Sequence, residues 1–410
     1  YCHPAFSCRR RSRASPIIKC SPCRVRMLMV GRGGEVNMFQ VRLEEHPIPT
    51  SKKDVTQLID WLVATFGLIR RRGEEHAFGD AQQPVVRLLR EHFLANPIAG
   101  VDANALGDEL GLAPASLHHH LSRLSACRLI SSRSEGDGWR RHFLRGGSLS
   151  AAIELFSQEA RMLLQMRLAD LDNWWDRGGG QSPGKITMAA ASEPPALRLW
   201  VTEPSPLPDI KGANELSNWM AEMGLLGERP GKAIMADSVA VKLFSTMLAR
   251  TASLSIDEAV EMTKATKPRL IRILERFHAA GIVERVARID RLPTILWEAM
   301  ESQFRKRGED WLLLKGGFNR QLPPRQAEIL VKALKKGKLN PELVVKNLAK
   351  VSPEEQMLLL NLLGGRLPFG YRMVGDNPKR CAEMCMSKLD RVLRRIRRVA
   401  EQLEMAFSEG

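Results

Sequence analysis

The segment Val101–Arg145 reads VDANALGDELGLAPASLHHHLSRLSACRLISSRSEGDGWRRHFLR, and it decides the fold. Leucines recur in it at the three- and four-residue spacing of amphipathic helices, in two short runs. Gly111 suits the left-handed position after a helix end, and Pro114 suits the first turn of a helix. The pattern therefore predicts one helix ending at Gly111, a turn, and a second helix from Pro114 to near Cys127.

The sequence on either side of these two helices completes a small domain. Pro84–Leu94 has helical apolar spacing and predicts a preceding helix. Leu129 and Ile130 begin a strand, and Gly136-Asp137-Gly138 allows a tight reversal into a second strand. Three helices followed by such a hairpin form a winged helix-turn-helix. We therefore expect a mainly α fold with small β-wings.

A set of apolar and turn residues links this domain to a known family: Leu106, Leu110-Gly111-Leu112, Pro114-Ala115-Ser116-Leu117, His120-Leu121, Leu124 and Leu129-Ile130. On these residues, the stretch 84–145 resembles the winged-helix domains of the ArsR/MarR-like transcriptional regulators of bacteria and archaea. It departs from them at Arg128, where the family usually has glycine. Because a left-handed arginine costs about 1 kcal/mol, we expect a wider turn there. The family's arsenic-type cysteine pair is absent, so the resemblance does not imply metal sensing.

The winged-helix fold implies which side chains meet DNA, since the second helix lies in the major groove and the wing reaches backbone or minor groove. Leu117, Leu121 and Leu124 are needed for packing, and His120 coincides with a packing histidine of the family. The expected DNA contacts are Ser116, His118, His119, Ser122 and Arg123 from the helix, and Arg133, Arg140 and Arg141 from the wing. A solvated basic hairpin is the alternative for the wing. Three consecutive histidines diverge around a helix, so no metal site is expected.

A second, weaker winged-helix pattern spans residues 239–290, with helices expected at 239–249, 255–262 and 268–280 before a wing strand. Its last helix carries four basic residues, Lys267, Arg269, Arg272 and Arg276. Arg269, Arg272 and Arg276 share one helical face. Two interpretations stay open for this face: contact with DNA, or contact with a protein partner.

The basic charge of the chain is unevenly distributed. The formal net charge is +16, and residues 305–410 alone contribute +10, with 22 basic and 12 acidic side chains. The last predicted helix, 379–407, has one apolar stripe flanked by arginines. We expect Arg394, Arg395 and Arg398 on this helix to add sequence-independent affinity for phosphate. Cys381 and Cys385 lie one helical turn apart, and packing thiols are favoured over a metal or redox pair.

The pattern of helices and Pro/Gly/Ser-rich stretches predicts five segments. They are residues 1–37, upstream translated or disordered; 51–176, a helix, the winged helix and a long helix; 177–213, a linker; 214–300, the second winged helix; and 301–410, a basic helical domain. The first 37 residues include a CxxC at Cys20 and Cys23, which is weak evidence for zinc, and Met38 is the favoured start. The long helix at 149–175 predicts a homodimer contact, with packing inside the chain as the equal alternative.

The sequence points away from catalysis. It lacks P-loop, GxSxG and HExxH patterns, so no catalytic residue, cofactor or metal is expected. No apolar run approaches the ~18 residues of a membrane span, which favours a cytoplasmic, nucleoid-associated protein. The predicted function is a prokaryotic, sequence-specific transcriptional regulator that binds double-stranded DNA as a homodimer. The alternative is an architectural, replication- or chromosome-associated protein whose second winged helix binds a protein.

Overall fold

A computed structural model describes residues 38–49, 54–69, 82–135, 139–176, 195–227 and 234–408. The chain is mainly helical with small antiparallel sheets, which confirms the predicted fold class at this level. Within the described ranges, the helices fall short of the length and apolarity needed to cross a membrane. The expectations for residues 1–37 lie outside the described residues.

The segment that decides the fold lies in module 1, defined here as residues 84–144. Its first helix is α2 (Pro84–Arg87), which continues as a π-helix (Leu88–Phe93). The remaining elements are β2 (Val101–Asp102), α3 (Ala103–Leu110), α4 (Pro114–Ala126), β3 (Ile130–Glu135) and β4 (Trp139–Leu144). The strands form an antiparallel sheet in the order β2-β4-β3. Leu106, Leu117, Leu121 and Leu124 are buried beneath it, as their spacing predicts.

Module 2 repeats this order of elements, and it is defined here as residues 239–287 together with 369–373. Its elements are α7 (Val239–Ala249), β6 (Leu254–Ser255), α8 (Ile256–Thr263), α9 (Lys267–Ala279), β7 (Val283–Ala287) and β8 (Phe369–Met373). The strand order is β6-β8-β7, which matches module 1. The second strand of the hairpin was not predicted, because it lies about 80 residues beyond its partner in the sequence.

The two modules agree residue by residue where the chain turns. α3 and α8 have the same length, α4 and α9 have the same length, and three residues precede and follow the latter two helices. Gly111 and Lys264 hold the same left-handed position, with φ of 62° and 57°. Arg128 and Gly281 hold the next one, with φ of 56° and 78°. The wider turn expected at Arg128 is therefore wrong, because arginine takes the left-handed conformation in a turn of unchanged length.

A helical body interrupts the hairpin of module 2 between β7 and β8. This body, residues 288–368, contains α10 (Leu292–Leu314), α11 (Phe318–Gln321), α12 (Pro324–Lys335), α13 (Pro341–Leu348) and α14 (Pro353–Leu362). Its buried side chains form a hydrophobic core separate from the larger core of the chain. The structure therefore differs from the predicted boundary at residue 301, since α10 crosses that boundary and residues 369–373 return to the sheet of module 2.

A two-stranded ribbon and two further helices pack beside the modules. β1 (Gln40–Glu44) pairs antiparallel with β5 (Arg198–Thr202), and α1 (Val55–Thr65) and α6 (Glu215–Glu222) join the same core. β5 lies inside the stretch 177–213, which was predicted as a linker with a short strand at 197–201, and the structure confirms that strand. Its alternating burial, with Leu199 and Val201 buried, fixes this part of the linker in the core.

Each module is followed by a long helix, and these two helices pack against each other. α5 (Leu149–Ala169) follows module 1, and α15 (Pro378–Ser408) follows module 2. Near the start of α5, Ser150 donates from its backbone N–H to Glu404, close to the end of α15, at 2.8 Å. The helices therefore run antiparallel. Of the two alternatives for the long helix at 149–175, the structure shows the packing inside the chain, against α15; the homodimer contact stays a prediction.

Candidate nucleic-acid interface

The solvent face of α4 carries the histidines that the sequence assigned to DNA contact. His118 and His119 are exposed, while Leu117, Leu121 and Leu124 face the core. The proline at the start of α4 and the leucine spacing fix this orientation, because the helix has one apolar stripe to bury. The two imidazoles therefore project from the helix where a groove can reach them. Ser116 and Ser122, also expected there, are half-buried.

His120 lies between the exposed and buried faces of α4. Burial lowers its pKa, and the neighbouring His119 and Arg123 lower it further. The imidazole of His120 is therefore held neutral near pH 7, which fits the packing role expected for it. The three consecutive histidines do not converge, and the described residues hold no cluster of three or more His, Cys, Asp or Glu side chains suited to a metal.

Arg123 serves a different purpose from the predicted one. Its guanidinium donates to the backbone carbonyl oxygens of Leu68, at 2.6 Å, and of Gly67. These carbonyls follow the C-terminal end of α1, so Arg123 ties α4 to the neighbouring helix. It holds α4 in position, and its side chain is half-buried instead of projecting from the exposed face.

The hairpin of module 1 presents an exposed basic surface. Arg133, Arg140 and Arg141 are all exposed, and Arg133 lies directly opposite Arg141 across the two strands. Like charges at directly opposed positions destabilise a hairpin. Arg141 also donates to the carbonyl oxygen of Ala99 at 3.2 Å. The hairpin of module 1 therefore presents positive charge to solvent.

The hairpin and α4 are joined electrostatically through His142 on β4. Burial lowers the pKa of His142, Arg140 and His118 lower it further, and Asp102 acts in the opposite direction. His118 on α4 and Arg140 on the hairpin are therefore close enough to act on the same imidazole. The sequence analysis did not select His142; its position two residues beyond Arg140 in a basic strand is the only signal.

The basic face of α9 in module 2 borders a cavity. Lys267, Arg269 and Arg272 are exposed, and Lys267 pairs with Asp257 at 2.7 Å. Arg276 is half-buried and donates to the carbonyl oxygen of Leu225 at 3.2 Å. The structure thus brings Arg269, Arg272 and Arg276 to the cavity, where Arg276 also holds the loop after α6, while Lys267 pairs with Asp257.

Three arginines, one aspartate and one helix end line this cavity, which has a volume of about 490 Å³. The arginines are Arg269, Arg272 and Arg276, the aspartate is Asp237, and the helix end is the first turn of α7. The hydroxyl of Ser238 is buried, and the described residues offer it no hydrogen-bond partner. Backbone N–H groups at a helix start favour anions, as do guanidinium groups, whereas the carboxylate of Asp237 opposes them. The lining of the cavity is therefore cationic on balance and offers donors to an anion.

The hairpin of module 2, unlike that of module 1, has its charged residues paired internally. Arg372 contacts Glu284 at 2.9 Å, and the guanidinium of Arg285 lies 4.4 Å from the centre of the Phe369 ring. Tyr371 donates to Glu275 of α9, and burial together with this carboxylate raises the pKa of Tyr371. This hairpin holds α9 in place, and its far end carries the inserted body.

The arginines of α15 divide into paired and exposed residues. Arg391 and Arg395 each contact a carboxylate oxygen of the buried Glu45 at 2.7 Å. Arg394 and Arg398 are exposed one helical turn apart. Of the three residues predicted to contact phosphate, Arg395 therefore holds β1 against α15, while Arg394 and Arg398 share a solvent-facing surface.

Two further groups of side chains are the thiols of α15 and a basic cluster in the inserted body. Cys381 and Cys385 are fully buried, and burial raises the pKa of Cys385 to about 12, which keeps that thiol protonated and packed. The inserted body carries exposed lysines that the sequence analysis counted but did not single out: Lys332, Lys335, Lys336 and Lys338. The sequence feature that marks these lysines is the run KALKKGK at the end of α12.

Comparisons of the chain with protein-family models, with curated proteins and with solved structures found no match. The interpretation of this surface therefore depends on its geometry and charge. The arrangement offers hydrogen-bond donors on two equivalent helices, a basic hairpin beside the first helix, and a cationic cavity beside the second. These are features that bind a polyanion with an ordered array of acceptors.

Proposed function

We propose that this protein binds double-stranded DNA through two winged helix-turn-helix domains, modules 1 and 2, and regulates transcription. The observation that carries the proposal is the repeated order of helix, strand, helix, helix and hairpin, with α4 and α9 presenting their polar faces. In this fold the third helix enters the major groove. α4 is therefore the reading helix of module 1, and α9 that of module 2.

The proposed contacts differ in kind. His118 and His119 donate to base edges or phosphates, and the wing arginines Arg133, Arg140 and Arg141 contact backbone or minor groove. Exposed Arg394 and Arg398 add affinity that does not depend on sequence. No catalytic step or cofactor forms part of this proposal. We place the protein in the cytoplasm of a prokaryote, in association with the nucleoid.

The test is a random-sequence DNA selection with the full chain, followed by fluorescence-anisotropy titrations at several salt concentrations. A regulator discriminates its site by a factor of about 10³ or more over random DNA. The variant His118→Ala/His119→Ala is expected to lose this discrimination while keeping most salt-dependent binding. A matched control, Gln158→Ala/Gln165→Ala on the exposed face of α5, is expected to behave as wild type. Absence of any DNA binding would contradict the proposal.

A second candidate function, an architectural protein with one protein-binding module, is favoured by the hairpin of module 2. Its charges are paired internally and its far end carries the inserted body, so it lacks the exposed arginine pair of module 1. The same titrations separate the two functions. Salt-sensitive binding without an enriched motif, together with an unaffected His118→Ala/His119→Ala variant, supports the architectural function.

A further inference from the structure

The two long helices that follow the modules are related by a local two-fold axis. α5 starts five residues after the end of β4, and α15 starts five residues after the end of β8. Each helix therefore leaves its hairpin at the same point. Because α5 and α15 are also antiparallel, a rotation by half a turn about an axis between them exchanges one helix for the other.

Ion pairs along this contact locate the axis. Arg161 contacts Asp390 at 3.1 Å, and both residues lie twelve positions beyond the first residue of their helix. A residue meets its own counterpart only at a two-fold axis. Glu154 contacts Arg397 at 2.8 Å, and their positions, five and nineteen beyond the helix starts, are symmetric about twelve. Two independent ion pairs thus give the same axis.

Building on the proposed function, we infer that one chain reads one DNA duplex as two inverted half-sites of different sequence. The axis at Arg161 and Asp390 exchanges α5 with α15, and in the inferred complex it also exchanges the modules that precede these helices. Such dimers bind two inverted half-sites, commonly one helical turn apart. Here the two reading helices differ, so the two half-sites differ as well.

The chemistry of the two helices sets the class of each half-site. α9 presents Arg269 and Arg272, and arginine forms its best-matched pair of hydrogen bonds with the O6 and N7 atoms of guanine. α4 presents His118 and His119, which offer single donors, beside a basic wing. We therefore expect α9 to contact a half-site that contains guanine. We expect α4 to contact a half-site with a weaker base preference, which is flanked by a narrow minor groove.

The same contact explains why a second chain is not needed. The apolar stripe of α5 is buried against α15 and the central core, with Ile153, Phe156 and Leu164 fully buried. This is the surface on which the expected homodimer depended. One chain therefore already contains both reading heads and the helix pair that joins them.

The experiment is a random-sequence selection with the full chain, combined with native mass spectrometry of its complex with the enriched duplex. We expect one chain per duplex and a motif of two unlike halves. His118→Ala/His119→Ala is expected to relax the preference in one half, and Arg269→Ala/Arg272→Ala in the other. Arg198→Ala/Arg380→Ala, an exposed pair that lies outside α4 and α9, serves as the matched control and is expected to leave both halves unchanged.

Spacing provides a second readout. Inserting five base pairs between the halves turns one of them by about half a helical turn. The affinity is then expected to fall at least about tenfold, to that of a single half. A symmetric palindrome with two chains per duplex, or a motif that Arg269→Ala/Arg272→Ala leaves intact, would overturn the inference but not the proposed function. Absence of DNA binding would overturn both.

Discussion

Among the described residues, two other than glycine adopt the left-handed backbone conformation, and both lie in turns next to α4 or α9. Lys264 precedes α9, and Arg128 follows α4. The left-handed conformation costs a residue with a Cβ about 1 kcal/mol. Arg128 is held there by side-chain contacts with Glu159 and Glu203, at 3.5 and 3.4 Å, whereas Gly281 takes the equivalent position in module 2. The same turn is thus built in two ways.

Replacing Lys264 by glycine is expected to stabilise module 2. The side chain of Lys264 is exposed, so the change removes the left-handed strain of about 1 kcal/mol without removing buried packing. We expect the thermal midpoint of the full chain to rise by about 2–4 °C, measured by circular dichroism. Lys264→Ala is the matched control and is expected to leave the midpoint nearly unchanged. A lower midpoint for the glycine variant would show that the lysine side chain stabilises the turn.

Acid is expected to destabilise the protein through His142. Burial and Arg140 outweigh the carboxylate of Asp102 and lower the pKa of His142 below its ordinary value of 6.5, so the folded protein binds this proton less readily than the unfolded chain. The neutral imidazole of His142 contributes its full stability to the folded state above pH 6.5, and this contribution is lost as the pH falls below 6.5. Urea unfolding between pH 7.5 and pH 5 measures this loss. His142→Asn is expected to show a smaller decrease, and an equal decrease would assign the effect to other groups.

At the scale of single elements, local patterns predicted helices well and the late strand not at all. The helices expected at 239–249, 255–262, 268–280 and 379–407 are found at Val239–Ala249, Ile256–Thr263, Lys267–Ala279 and Pro378–Ser408. Their apolar spacing is a local property, so the sequence contains it. β8 lies beyond the predicted second winged-helix pattern at 239–290, because its pairing partner β7 is distant in the chain. Pairing between distant segments leaves little trace in a local pattern.

In the candidate site, too, the sequence predicted some positions and missed others. Helical spacing correctly separated the buried leucines of α4 from the exposed His118 and His119. It did not show that Arg123 and Arg395 contact other parts of the chain, just after α1 and just after β1. A single sequence does not distinguish an arginine that faces solvent from one that contacts another element. Which partner a long charged side chain contacts depends on elements outside its own helix.

Removing the opposed arginines of the first hairpin is expected to weaken DNA binding but not folding. Arg133→Ala/Arg141→Ala removes two exposed positive charges from the surface of the hairpin and leaves its buried side chains in place. Affinity is expected to fall about equally for all sequences, and the slope of log affinity against log salt to decrease by about 2. Anisotropy titrations measure the slope, with Arg198→Ala/Arg380→Ala as control. Unchanged affinity with reduced stability would assign the pair a structural role.

At the scale of the whole molecule, the chain contains a domain inserted into a domain. The hairpin of module 2 opens at Ala287 and Phe369, which are paired across the two strands, and the body between them has its own core. The backbone N–H of Arg288 still donates to the carbonyl oxygen of Pro368 at 2.9 Å, so the two ends of the insertion are adjacent. Such an arrangement allows the insertion and its host to fold separately.

Excision of the body is therefore expected to leave module 2 folded. Replacing residues 289–367 by Asn-Gly closes the hairpin with a two-residue turn between Arg288 and Pro368, which are already bonded as neighbours across the ladder. Arg288 keeps its contact with Glu258 at 2.9 Å, while its contact with Asp290 is lost. A second deletion variant, in which an eight-residue Gly-Ser linker replaces residues 289–367, controls for strain in the short turn.

The excised chain loses 14 basic and nine acidic side chains, including the exposed lysines at the end of α12. If this body lies along the DNA, as its position at the tip of a wing indicates, the salt dependence of binding falls while the enriched motif stays the same. Circular dichroism and anisotropy titrations measure the two effects. An unfolded module 2 in both constructions would show that the inserted body completes its core. An unchanged salt slope would show that the lysines face away from DNA.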